Sequence, residues 1–131
     1  MYAVFPLIKQ YLSGTTASSV NEARLGYEQF NNEVHICAPG YKTEDFEEIA
    51  KYCKYITFNS ITQWHRFKKH QHNTNQKLSY GIRVNPEFSE VTFPIYDPCA
   101  KYSRLGITQK EINNQVLDPE IEGIQIGRAH V

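Results

Sequence analysis

Thr16 and Ser18, His35, Asn59 and Ser60, and Arg83 and Asn85 share one kind of position: each ends a short apolar run before a polar cap. Hydroxyl, imidazole, amide and guanidinium groups gathered at such ends could bind and orient a small polar ligand. A second group, His65, His70 and His72 with Lys68 and Lys69, has the look of a metal site. Its spacing is not the Cys/His pattern of structural zinc, and no carboxylate lies nearby in sequence. It reads as a solvated helix end entering the polar loop 70–76, so no metal ligand is assigned. Cys37 and Cys53 fall on apolar faces and read as small core residues, while Cys99 sits in a long loop. No catalytic residue is assigned within the chain.

The elements that must position these groups follow one repeated unit of strand, cap, amphipathic helix and turn. Ser19 with Glu22, Ser60 with Gln63 and Thr108 with Glu111 each have capping-box spacing. Thr43 opens another helix, with Glu44 and Asp45 set against the positive end of its dipole. Val4, Leu7, Ile8 and Tyr11 form one helical stripe, and Phe46, Ile49, Ala50 and Cys53 form a second. Val20, Ala23, Tyr27 and Phe30 trace a third. Short β-rich runs lie at 15–17, 34–37, 55–58 and 80–84, with a fifth beginning near Gly123. Strands alternating with helices predict parallel βαβ units. Either an open doubly wound sheet or a closed eight-stranded barrel produces this rhythm. The first strand is not followed by a Gly-rich phosphate loop, which favours the barrel. Four or five strands make it a partial (β/α)8 TIM barrel.

Segment 86–106 breaks the rhythm. It is long, rich in proline and aromatic residues, and replaces a short turn, which predicts an ordered active-site loop. Its Phe88, Val91, Phe93, Ile95 and Tyr96 are expected to pack. Trp64 and the tyrosines are read as packing residues. Zero formal net charge gives no electrostatic reason to expect nucleic acid or an anionic membrane as partner. No apolar run approaches the roughly 20 residues that a membrane span needs. Three cysteines without paired spacing argue against a disulfide framework and for the cytoplasm.

Several segments closely resemble the carboxynorspermidine/carboxyspermidine decarboxylases. They are the run from Gly14 to Gly26, Glu33-Val-His35 with Ala38-Pro39, and Phe58-Asn-Ser60 with Gln63-Trp64. Arg83-Val-Asn-Pro86, Asp97-Pro-Cys-Ala100 and Ser103-Arg-Leu-Gly106 complete the set, in the family's order. The family is similar in fold to alanine racemase and the basic amino-acid decarboxylases, which carry pyridoxal 5'-phosphate in a barrel. The resemblance implies removal of carbon dioxide from a polyamine-like amino acid in norspermidine or spermidine synthesis, by a parent that is a homodimer. It also implies that Arg83 lies near the cofactor, and that Arg104 lies near its phenolic oxygen. Thr16 stands where basic amino-acid decarboxylases carry an acid, and is expected to line the barrel mouth.

The family's lysine that carries the cofactor precedes the helix resembled by 2–12, and its histidine strand and phosphate site come later. The chain is therefore expected to be an internal fragment, inactive alone, with Lys9 a solvated helix residue. Residues 1–124 are read as barrel and 125–131 as a non-native tail, of which 126–131 resemble a translated sequencing adapter. A diaminopimelate or ornithine decarboxylase is the neighbouring alternative, and the Asp-Pro-Cys-Ala and Ser-Arg-Leu-Gly segments argue against it. A non-enzymatic α/β binding module is the alternative from another class. It would have a covered sheet, whereas a fragment would expose edge strands and an apolar inner face.

Overall fold

The computed structural model describes residues 2–69, 77–114 and 119–126. Five strands form one sheet: β1 (Gly14–Ala17), β2 (Glu33–Cys37), β3 (Tyr55–Phe58), β4 (Ser79–Val84) and β5 (Ile121–Ile126). All neighbours pair in parallel, and their spatial order is the order of the chain. A doubly wound sheet reverses direction at a switch point, and this one does not. Every step advances the same way, as in a β/α barrel. The expected boundary at residue 124 falls inside β5, and residues 127–131 lie outside the described residues.

The connecting helices are α1 (Phe5–Ile8), α2 (Val20–Leu25), α3 (Thr43–Tyr52), α4 (Ile61–Phe67) and α5 (Gln109–Asn113). Their caps refine the sequence reading. Thr108 and Glu111 make the full reciprocal box. Ser19 and Ser60 accept from the N3 amides as expected, but the returning side chains reach one residue further back. Glu22 accepts from the Ser18 amide at 2.7 Å and hydroxyl at 2.8 Å, and Gln63 accepts from the Asn59 amide at 2.9 Å. Thr43 is not a cap. Lys42 holds that position without a side-chain bond, and the Thr43 hydroxyl accepts from Arg66 instead.

Period-two alternation divides the sheet into two unlike faces. Ala17, Val34, Ile36, Ile56, Phe58, Tyr80 and Ile82 point to the helices and are buried. The opposite face carries Thr16, Glu33, His35, Cys37, Tyr55, Thr57, Ser79, Gly81 and Arg83, in register across the strands. The apolar inner face expected of a fragment is therefore absent from β1–β4, where this face is mostly polar. Cys37 belongs to it and is half-buried, not a core residue, because Val34 and Ile36 take the outward row. Cys53 is fully buried as expected, and burial pushes its thiol pKa up to about 12.

Phe58 is the hub of the helix-side core, in ring contact with Tyr41, Phe46, Trp64, Phe67 and Tyr80. The α3 stripe of Phe46, Ile49, Ala50 and Cys53 is buried throughout. Two other stripes are not. After α2 the chain widens into a π-turn at Gly26–Phe30, which leaves Tyr27 exposed and turns Phe30 into the core. The α1 segment is only one turn long. Phe5 packs edge-on against Phe30 at 5.4 Å, while Val4, Leu7 and Tyr11 stay exposed because no described element covers them. Phe58→Ala is expected to cost about 3–5 kcal/mol. Chemical denaturation would read that loss, and a cost under about 1 kcal/mol would contradict the placement of this hub.

Candidate active site

At the carboxyl ends of β3 and β4 the chain gathers most of the groups that the sequence singles out. Arg83 occupies the inward row of β4, one step nearer the rim than Gly81. Gly81 lies beside Thr57 on one side and Gly123 on the other, so two glycines leave the floor beneath Arg83 without side chains. The Arg83 charge reaches Cys37: burial pushes that thiol up, and the guanidinium pulls it partly back. Among the described residues neither Arg83 nor Arg104 forms an ion pair with a carboxylate. Structural pairing of Arg83, the ordinary alternative to a ligand role, is thus not seen there.

Arg104 reaches the same rim from the long loop. The Asn59 side chain, just past β3 and 7 % exposed, donates to the Arg104 carbonyl and accepts from the Gly106 amide at 2.8 Å. The next residue, Ile107, donates to the Arg83 carbonyl at 2.9 Å and accepts from the Asn85 amide at 2.8 Å. Gly106 makes the turn possible. Its φ is +83°, and a Cβ there would sit 2.8 Å from the Asn85 nitrogen. Ile107 is buried with Ile61 and Ile82, which anchors the loop's end. The loop is otherwise braced from within, through Cys99 amide to Asp97 carboxylate at 2.8 Å and the Ser103 hydroxyl to the Pro98 carbonyl. Its large apolar residues do not pack as expected: Phe88, Phe93, Ile95 and Tyr96 are all exposed.

Thr16 lies elsewhere on the same face. It is exposed on β1, opposite His35, three strands or roughly 14 Å along the sheet from Arg83. His35 stacks on Tyr55 at 4.0 Å, and Glu33 pairs with Lys54 below them, at the amino end of the strands. Sequence reasoning missed Asn59 as a site residue, although it marked Asn59 as a polar strand end. A fold-back partner 45 residues away leaves no local signal. His65 is exposed, and His70 and His72 lie outside the described residues.

No family model matches the chain. Individual proteins do. A carboxyaminopropylagmatine decarboxylase of Synechocystis sp. is 44% identical over 107 residues, which is 82% of this chain and 27% of that protein. A carboxynorspermidine/carboxyspermidine decarboxylase of Campylobacter jejuni is 39% identical over 90% of the chain and 30% of its own length. One from Herminiimonas arsenicoxydans is 34% identical over 95% and 33%. The crystal structure of the Campylobacter jejuni carboxynorspermidine decarboxylase complexed with norspermidine superposes with a TM-score of 0.78 at 31% identity. That match covers 96% of this chain and 30% of the other. By sequence and by fold, this chain matches the carboxy(nor)spermidine decarboxylases. It spans about a third or less of their length, and within that share the partial parallel barrel is the common structure.

Burial makes the inner face sensitive to acid. Desolvation lowers the His35 pKa, nearby Glu33 opposes, and Lys54 adds to the lowering. The folded chain therefore binds this proton less readily than the unfolded chain. Its contribution is present above the unfolded value of about 6.5 and is lost as pH falls toward the folded pKa. Melting temperature should drop over that window, and His35→Gln should flatten the drop. An identical pH slope in the variant would contradict the half-buried placement of His35.

Proposed function

We propose that this chain is the rim-bearing segment of a pyridoxal phosphate-dependent carboxy-lyase acting on carboxynorspermidine or carboxyspermidine. The observation that carries the reading is the superposition of 96% of the chain on a decarboxylase complexed with norspermidine. The residues present fit the cofactor's chemistry. Its anionic oxygens need cationic donors that are not already spent on carboxylates, and Arg83 and Arg104 are such donors among the described residues. When bound, the cofactor supplies an electron sink that lets the substrate carboxylate leave as carbon dioxide.

In this reading Arg83 would bind and orient an anionic oxygen of the cofactor, and Arg104 would add a second positive charge from the loop. Thr16 lines the far wall of the mouth. Strands β1 to β5 contain no lysine, so the covalent anchor of the cofactor is assigned to none of them. The small-molecule substrate, a homodimeric parent and a cytoplasmic location belong to the same reading. The substrate class is supported by the relatives' names and a reducing compartment by three cysteines that are all free, while the homodimer rests on the family resemblance alone.

The test is carbon dioxide release from carboxynorspermidine and carboxyspermidine by the protein that carries this segment, with and without Arg83→Ala. Release from at least one substrate is expected, with kcat/KM falling by about a hundredfold in the variant. No release from either substrate, or full activity in the variant, would contradict the proposal.

A further inference from the structure

Four connections at the rim form one continuous network. The Gln63 amide nitrogen donates to the Pro39 carbonyl at 2.8 Å, which reaches the loop after β2. The Gln63 oxygen accepts from the Asn59 backbone amide at 2.9 Å, which fixes the end of β3. The Asn59 side chain then clamps Arg104 and Gly106, and Ile107 closes the circuit on the carbonyl and amide at the end of β4. Three strand ends are thereby tied to each other and to one loop.

We propose that Asn59 is a positioning residue, whose buried amide holds the Arg104 segment over the rim so that Arg104 and Arg83 meet the same anionic ligand. The chemistry favours an amide here. One group must donate to a carbonyl and accept from an amide at once, and among short side chains asparagine does so with a flat, fixed spacing. Aspartate keeps an acceptor for Gly106 but sets a carboxylate against the Arg104 carbonyl. Alanine leaves the part-buried Gly106 donor and Arg104 acceptor without this partner. The burial of Asn59 makes this a tight constraint, since water cannot readily replace the lost bonds. The guanidinium of Arg104 is itself exposed and unbraced by carboxylates among the described residues, so its location follows its backbone.

The placement of the loop stands on the geometry alone. The common ligand rests on the decarboxylase reading, so the two are measured separately. In the first arm, hydrogen exchange is followed at the Gly106 and Ile107 amides of the full chain, before and after Asn59→Ala. Both should exchange about tenfold faster or more in the variant, although Asn59 touches only the first. A response at Gly106 alone means that the backbone holds the loop without Asn59, and overturns the proposal. In the second arm, phenylglyoxal modification of Arg83 and Arg104 is mapped with and without pyridoxal phosphate in the protein that carries this segment. The compound should protect both arginines in the unmodified chain, and only Arg83 in Asn59→Ala. Equal protection of Arg104 in both proteins overturns the positioning role. Protection of neither arginine in the unmodified chain counts against the cofactor reading, and the exchange arm still decides the hold on the loop. Should Asn59→Ala fail to fold, Asn59→Asp serves. Its Gly106 amide should stay slow while ligand protection of Arg104 is lost, and full protection of Arg104 there also overturns the proposal.

Discussion

The alternation of side chains along four short strands is the constraint on which everything else rests. Because Val34 and Ile36 must meet the helices, Glu33, His35 and Cys37 must face the other way, and the same holds on β3 and β4. A slip of one residue would turn Glu33 in β2 or Arg83 in β4 toward the aromatic core, and in β3 it would expose Phe58. Register is therefore held by the cost of both errors together. The consequence is a sheet with one greasy side and one polar side.

Alternation alone puts Arg83 on that side, but it does not make a site. The rim becomes a defined place because the long loop is pinned there, at Asn59 on β3's end and at the carbonyl and amide flanking Val84 on β4. Gly106 lets the chain turn back, and Ile107 buries itself to keep it there. A loop whose aromatic residues remain exposed could not hold itself in place by packing. Hydrogen bonds at its root do that work. The network joins several of the segments that resemble the decarboxylases, around Pro39, Asn59 with Gln63, Arg83 and Gly106.

Much of the fold was legible in the residues. Period-two runs and capped amphipathic helices located the strands to within a residue or two, and their regular alternation pointed to a barrel. The failures have physical causes. The stripe from Val4 to Tyr11 is helical in spacing, but periodicity does not say whether anything covers it, and only Phe5 finds a partner. Cys37 looked like core because its neighbours are apolar, and the alternation assigns it to the inner face instead. Glu22 and Gln63 have box spacing yet bond one residue further back, a choice set by local geometry that spacing cannot resolve. At the site, Arg83 was visible as a strand-end cation, whereas Asn59 was hidden because its two loop partners lie 45 and 47 residues away.

The pH dependence of Cys37 alkylation tests the polar inner face most directly, compared between the unmodified chain and Arg83→Met. Arg83 stands on the same face as Cys37 and draws its thiol pKa down against the pull of burial. Removing that charge should move the alkylation midpoint of Cys37 to higher pH, while Cys53, sealed behind the sheet, stays unreactive until the chain unfolds. An unchanged Cys37 midpoint, or Cys53 reacting as fast as Cys37 in the folded chain, would mean that the two faces are not divided as described.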